Sequence, residues 1–197
     1  MADRLRRRDA FFGIHFDLHA GATDTELGAE TTAENIRELI ERVRPDWLQW
    51  DCKGHPGYTC WPTEVGWTSP GVVRDSLRVL RDVTAEMGVA LLVHYSGVID
   101  DKAITECPEW VARGADGEAS KRSTSTFGDY VDALMIPQLR EVVEKYDVDG
   151  MWIDGDCWGA ELDWSPAVHS QAEDRAQALK GWKRAVDAAR YWARQDA

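Results

Sequence analysis

The residues best suited to chemistry sit where apolar runs end. The clearest run is Asp149-Gly150-Met151-Trp152-Ile153-Asp154-Gly155-Asp156. An apolar strand that stops on a carboxylate and then a glycine holds that carboxylate rigidly at the strand's exit, placed to attack an electrophilic carbon. A retaining glycosidase uses such a group as nucleophile, with a second carboxyl about 5–5.5 Å away as acid/base. Glu64 and Glu161 are this chain's candidates for the second role. A helix N-cap or a turn is the alternative reading of Asp154. Asp156 reads as a substrate hydrogen-bond acceptor or a turn residue.

His15, Asp17 and His19 alternate, so on an extended strand they share one side. They suit either polar contacts to a sugar or coordination of a metal. At about 3.3 Å per residue, His15 and His19 stand roughly 13 Å apart, too far to share an ion unless the strand breaks. His15 and Asp17 could share one. A site usually needs three or more ligands, so no metal and no other cofactor is assigned. His94, beside Tyr95, is either a packed core histidine or a ligand contact inside a barrel. Cys52, His55 and Cys60 form a tempting group, but thiols at this spacing serve equally as packing.

Ten tryptophans are the compositional outlier. Trp47 and Trp50 flank a strand, Trp61 and Trp67 fall in a loop, and Trp152, Trp158 and Trp164 cluster. Flat apolar faces with a polar edge suit the C–H faces of sugars, although tryptophan also simply fills cores.

The elements that must carry these groups alternate strand and helix four times. Strands are predicted at Phe11–Leu18, Asp46–Cys52, Val89–Tyr95 and Asp149–Asp154. The first helix opens on a Thr31/Glu34 capping box and carries Ile36, Leu39, Ile40 and Val43 at helical spacing. The second is predicted from Ser69-Pro70, with Val73, Leu77, Leu80 and Met87 on one face and Gly88 as its stop. A third covers Tyr130 to Tyr146, with Met135, Leu139, Val142 and Val143 inward and a kink at Pro137. A fourth spans roughly Ser170 to Arg194. Such alternation predicts an α/β fold with a parallel sheet and helical crossovers. The strand-to-helix loops are long and rich in aromatics and acids, while the return connections are short. That asymmetry marks the C-terminal rim as the functional face.

The bulk properties narrow the partners. At 197 residues, with 44% hydrophobic and 29% charged residues, the chain reads as one ordinary globular domain. A formal net charge of −12 repels nucleic acid and anionic membranes, so neither is expected as a partner. No run approaches a membrane span, and the arginine-rich start is not followed by a signal-peptide apolar stretch, so a cytoplasmic location is expected. Four scattered cysteines, including Cys107 and Cys157, do not make a disulfide scaffold.

Several stretches resemble the α-L-fucosidase family and the glycosyl hydrolases related to it. Phe12-Gly13-Ile14 looks like the family's opening strand, and Tyr95-Ser96 like the end of its third. Lys53-Gly54-His55-Pro56-Gly57-Tyr58-Thr59-Cys60-Trp61-Pro62 is similar to its Lys-His-His-Asp-Gly-Phe-x-x-Trp-Pro loop. Trp152-x-Asp154-Gly155 resembles the Trp-Phe-Asp-Gly that carries its nucleophile. The resemblance covers about residues 11–158 and implies a TIM-type barrel, a retaining sugar hydrolase and Asp154 as nucleophile. It further implies a sugar subsite lined by His55 and Trp61; with the residues read above, the candidate substrate contacts are His15, Asp17, His55, Trp61, His94, Tyr95, Trp152 and Asp156. The chain departs from the family at Gly54 and Pro56, and Asp17 falls near the family's strand-one histidine, so contacts to the sugar hydroxyls are altered.

Four units are half of the eight that close such a barrel, which typically takes ~250 residues. The expectation is an N-terminal half barrel over 1–197, a piece of a longer chain. A homodimer that completes the barrel and a sheet that stays open are the other possibilities. Two further functions stay open: a metal-dependent hydrolase built on His15, Asp17 and His94 or Asp154, and a non-catalytic carbohydrate-binding half barrel.

Overall fold

The computed structural model describes residues 10–125 and 128–154. The helix expected near 170–194, Asp156, Glu161, Cys157, Trp158 and Trp164 lie outside the described residues, as does the extent of the predicted domain.

In chain order the strands are β1 (Gly13–Phe16), β2 (Trp47–Lys53), β3 (Ala90–Ser96), β4 (Val111–Arg113), β5 (Ala119–Thr124) and β6 (Gly150–Asp154). The helices are α1 (Ala33–Val43), α2 (Ser76–Met87), α3 (Asp101–Glu106) and α4 (Ile136–Tyr146). A four-stranded sheet runs β1-β2-β3-β6, every neighbour parallel. Spatial order equals chain order, so each crossover steps in one direction. A doubly wound sheet reverses direction midway, and this one does not. The long loop after β3 holds two additions that hydrophobic periodicity did not signal, α3 and an antiparallel β4–β5 hairpin. The hairpin turns at Asp116-Gly117, with Gly117 at φ 82°.

Local chemistry sets the helix ends. Thr32 caps α1 by accepting from the Asn35 N–H, and Arg44 closes it in the left-handed region. The cap is therefore one residue beyond the predicted Thr31/Glu34 box, and Thr31 is buried with its N–H donating to the Gly28 carbonyl. Asp75 caps α2 and Gly88 ends it as expected. Ser69-Pro70 belongs to the preceding turn instead, where the Ser69 hydroxyl donates to the Gly21 carbonyl. Val73 is consequently exposed. Pro137 stands in the first turn of α4, where its missing N–H is unneeded, and the irregularity falls in a π-helical turn at Val131–Met135.

The pleat divides the sheet's side chains. Leu48, Trp50 and Cys52 of β2, with Leu91, Val93 and Tyr95 of β3, join the helices' Ile36, Ile40, Leu77, Leu80 and Val142 in one buried core. Alternate residues point the other way, as the period of two demands. On that opposite face the register places His15 beside Gln49, Asp51 beside His94, His94 beside Trp152, and Ser96 beside Asp154.

A register slip between Asp51 and Lys53 re-aims Lys53 alongside Tyr95. Its ammonium is fully buried, 2.6 Å from the equally buried Asp100 carboxylate, and lies 4.4 Å over the Tyr95 ring. It also donates to the Ser96 carbonyl and the Tyr130 hydroxyl. Asp100 in turn caps α3 through the Ala103 N–H. The pair ties β2, β3 and the following loop together at the C-terminal rim. Lys53→Met is expected to destabilise the chain by about 3–5 kcal/mol, because it strands a buried carboxylate. A urea midpoint unchanged from the wild type would show that the pair does not hold the rim.

Candidate active site

The polar row at the C-terminal end of the sheet gathers around Asp154, the last residue of β6. Its side chain is 36% exposed, so it is open to a ligand. Two imidazoles face one of its oxygens. His94 Nε2 lies 3.6 Å from Asp154 Oδ2 and His55 Nε2 lies 3.8 Å from the same atom.

Each ring is held by its other nitrogen. His94 is buried, and its Nδ1 is hydrogen-bonded to Oδ1 of the buried Asp51. An ionised carboxylate only accepts, so the Nδ1 proton donates to it and Nε2 is the nitrogen turned toward Asp154. His55 Nδ1 lies 2.6 Å from Ser96 Oγ, whose own hydroxyl donates to the Ile99 carbonyl. Ser96 therefore accepts from His55 Nδ1–H, and His55 too turns Nε2 toward Asp154. Partial burial holds His55 below the usual histidine pKa, helped by the neighbouring His19, while the Asp154 charge pulls it the other way.

Aromatic rings wall this cleft. The Trp152 ring lies 4.8 Å from His94 and meets His15 edge-on at 5.5 Å, and Trp152 is 43% exposed. β1 ends at Phe16, shorter than predicted, and the chain then turns. That break brings His19 back: its Nε2 lies 2.8 Å from Asp17 Oδ1, and its ring lies 5.0 Å from His55. Gly54 makes the room. A Cβ there would fall 2.5 Å from the His19 ring, so a larger residue at 54 and this His19 placement exclude each other.

The structure thus brings together His15, Asp17, His55, His94, Trp152 and Asp154. Two predicted members stand elsewhere. Tyr95 is fully buried on the helix-facing side of β3 and donates to Gln138 Oε1, because it follows His94 by one residue and the pleat sends it the opposite way. Trp61 is fully buried in the core and presents no face to a ligand. Glu64 also stands apart, its side chain mostly exposed and its N–H donating to Glu141 on α4. Cys52 and Cys60 are packed thiols. They donate to the His94 and Asp51 carbonyls, and burial raises both pKa values, leaving them unreactive.

Sequence reasoning passed over Asp51 and used His19 only as the far end of a strand. The signal for Asp51 was present: a carboxylate between Trp50 and Cys52 in an otherwise apolar strand needs a buried partner.

The family model of α-L-fucosidase matches residues 47–193. The chain belongs to that family. An α-L-fucosidase from Dictyostelium discoideum is 29% identical over 132 residues, covering 63% of this chain and 26% of the relative. This chain thus spans about a quarter of that relative's length. Among solved structures, α-L-fucosidase isoenzyme 2 from Paenibacillus thiaminolyticus superposes with a TM-score of 0.64 at 23% identity, over 74% of this chain and 23% of that one. α-L-Fucosidase from Vibrio sp. strain EJY3 gives 0.54 at 18% identity, over 74% and 25%. At these identities the superpositions establish the α/β fold of the α-L-fucosidase family for the region described.

A depressed folded-state pKa makes His55 bind fewer protons in the folded chain than in the unfolded one. Its stabilising contribution is complete above the unfolded value of about 6.5 and is lost as pH falls below it. His55→Gln should therefore lose less stability than the wild type between about pH 7 and about pH 5. Urea midpoints measured at both values check this. Equal losses would show that His55 is not held neutral by its surroundings.

Proposed function

We propose that this chain is the N-terminal half of the barrel of a retaining glycoside hydrolase of α-L-fucosidase type, with Asp154 as nucleophile. The observation that carries the reading is Asp154 at the tip of a parallel strand, one-third exposed, between His94, His55 and the open ring of Trp152. Chemistry in such folds gathers at that rim. Asp154 attacks the anomeric carbon, and the sugar–oxygen bond to the leaving group breaks as the new one forms. His55, His94 and Asp17 supply polar contacts to the sugar hydroxyls, and Trp152 and His15 line its apolar face.

The acid/base carboxyl comes from further barrel units beyond this region. Asp51 is bound to His94 and fully buried, and Glu64 is mostly exposed, its N–H bound to Glu141 of α4. The sequential β1-β2-β3-β6 order supports a sheet that curls on to meet such units. The substrate is a carbohydrate, with hydroxyl contacts adjusted to Gly54 and Pro56.

The test is turnover of an aryl α-L-fucoside by the longest natural polypeptide containing this sequence, as wild type and as Asp154→Ala. Loss of a nucleophile is expected to lower kcat by at least about a thousandfold. Azide, acting as a small external nucleophile, should restore part of the rate. Equal rates in the two proteins would refute the assignment.

A further inference from the structure

Behind the Asp154 cleft lies a second group of donors, on the loop after β1 and on β2 and β3. Asp17, His19, Asp51 and His94 each offer one ligand atom, and the four atoms lie within 4.8 Å of one another. Asp51 and His94 are buried, whereas Asp17 and His19 reach in from the surface. Acidic groups cluster on many surfaces without an ion. Here the interior adds a second observation: Asp51 Oδ2 is buried and has no hydrogen-bond partner among the described residues, and neither does His94 Nε2. A buried carboxylate oxygen left unpaired is costly unless a cation meets it. Asp51 Oδ2 is turned to His19 Nε2, 3.8 Å away, and His19 Nε2 is 2.8 Å from Asp17 Oδ1.

These spacings bracket a coordination shell. Two ligands each about 2.0–2.2 Å from one ion, at a tetrahedral angle, stand roughly 3.3 Å apart. Closing the widest gap, up to 4.8 Å, to that spacing takes about 1.5 Å of movement, and the two exposed side chains are able to move. Two imidazoles with two carboxylates select a first-row transition metal over magnesium or calcium, which take oxygen ligands. The ion takes His94 through Nδ1, replacing the proton shared with Asp51, and leaves Nε2 facing Asp154.

We infer that Asp17, His19, Asp51 and His94 bind a divalent ion of the zinc class. With four protein ligands the site is closed, so the ion is structural. It clips the loop after β1 to the ends of β2 and β3 and fixes the histidine wall of the cleft. Gly54 serves the same site by leaving room for the His19 ring.

The experiment uses the purified 197-residue chain and needs no substrate, so it stands or falls separately from the glycosidase reading. Zinc is titrated against a chromophoric competitor with the wild type, with Asp17→Asn and with His19→Ala. Both substitutions fall on exposed side chains and leave the core intact. Binding of roughly one ion per chain, weakened about tenfold or more in each variant, is expected. Zinc should raise the melting temperature of the wild type more than that of either variant. Cobalt in place of zinc should give the visible absorption of a tetrahedral nitrogen–oxygen site with no thiolate charge-transfer band. Equal affinity in all three proteins, absence of binding, or a thiolate band assigning the metal to cysteine would each overturn the site.

Discussion

The hydrogen bond between His94 and Asp51 is the contact on which the cleft depends. It joins β3 to β2 across the polar face of the sheet, at a depth where neither side chain meets water. By fixing the Nδ1 proton it turns Nε2 of His94 toward Asp154, and so gives the rim its direction. The parallel register sets the partners: Asp51 opposite His94, His94 opposite Trp152, Ser96 opposite Asp154. A slip of one residue in either ladder would exchange this row for Cys52, Tyr95 and Ile153 and abolish the site.

Two buried polar systems support that row from different sides. Asp51–His94 lies on the face that carries Asp154, and Lys53–Asp100 lies at the rim on the helix side. The bulge between Asp51 and Lys53 lets neighbouring stretches of one strand serve both. Ser96 links them, since its carbonyl accepts from Lys53 and its hydroxyl orients His55. The histidines around Asp154 are thus held by strand ends and by fully desolvated partners, as a preorganised site requires.

Much of the fold was legible in the sequence. The four parallel strands and the cores of α1, α2 and α4 follow from apolar runs and helical periodicity, and Asp154 from an apolar strand ending on a carboxylate. What escaped was decided by contacts distant in sequence. Tyr95 and Trp61 carry the same local marks as ring-lined sugar contacts, yet the pleat and the core claim them. His19 was measured along an extended strand, whereas β1 stops at Phe16 and the chain folds back. Asp51 looked like part of an apolar segment because its partner, His94, is 43 positions away. Helix α3 and the β4–β5 hairpin are short elements inside a polar loop, without a periodic pattern to announce them.

A nucleophilic Asp154 must become covalently bonded to the sugar during turnover. The direct measurement is peptide mass spectrometry after incubating the longest natural polypeptide that contains this sequence with an activated 2-deoxy-2-fluoro-α-L-fucoside, which slows release of the glycosyl-enzyme. One fluorosugar adduct is expected, located on the Asp154 carboxylate by fragmentation. Turnover of the fucoside with the adduct on another carboxylate would contradict it.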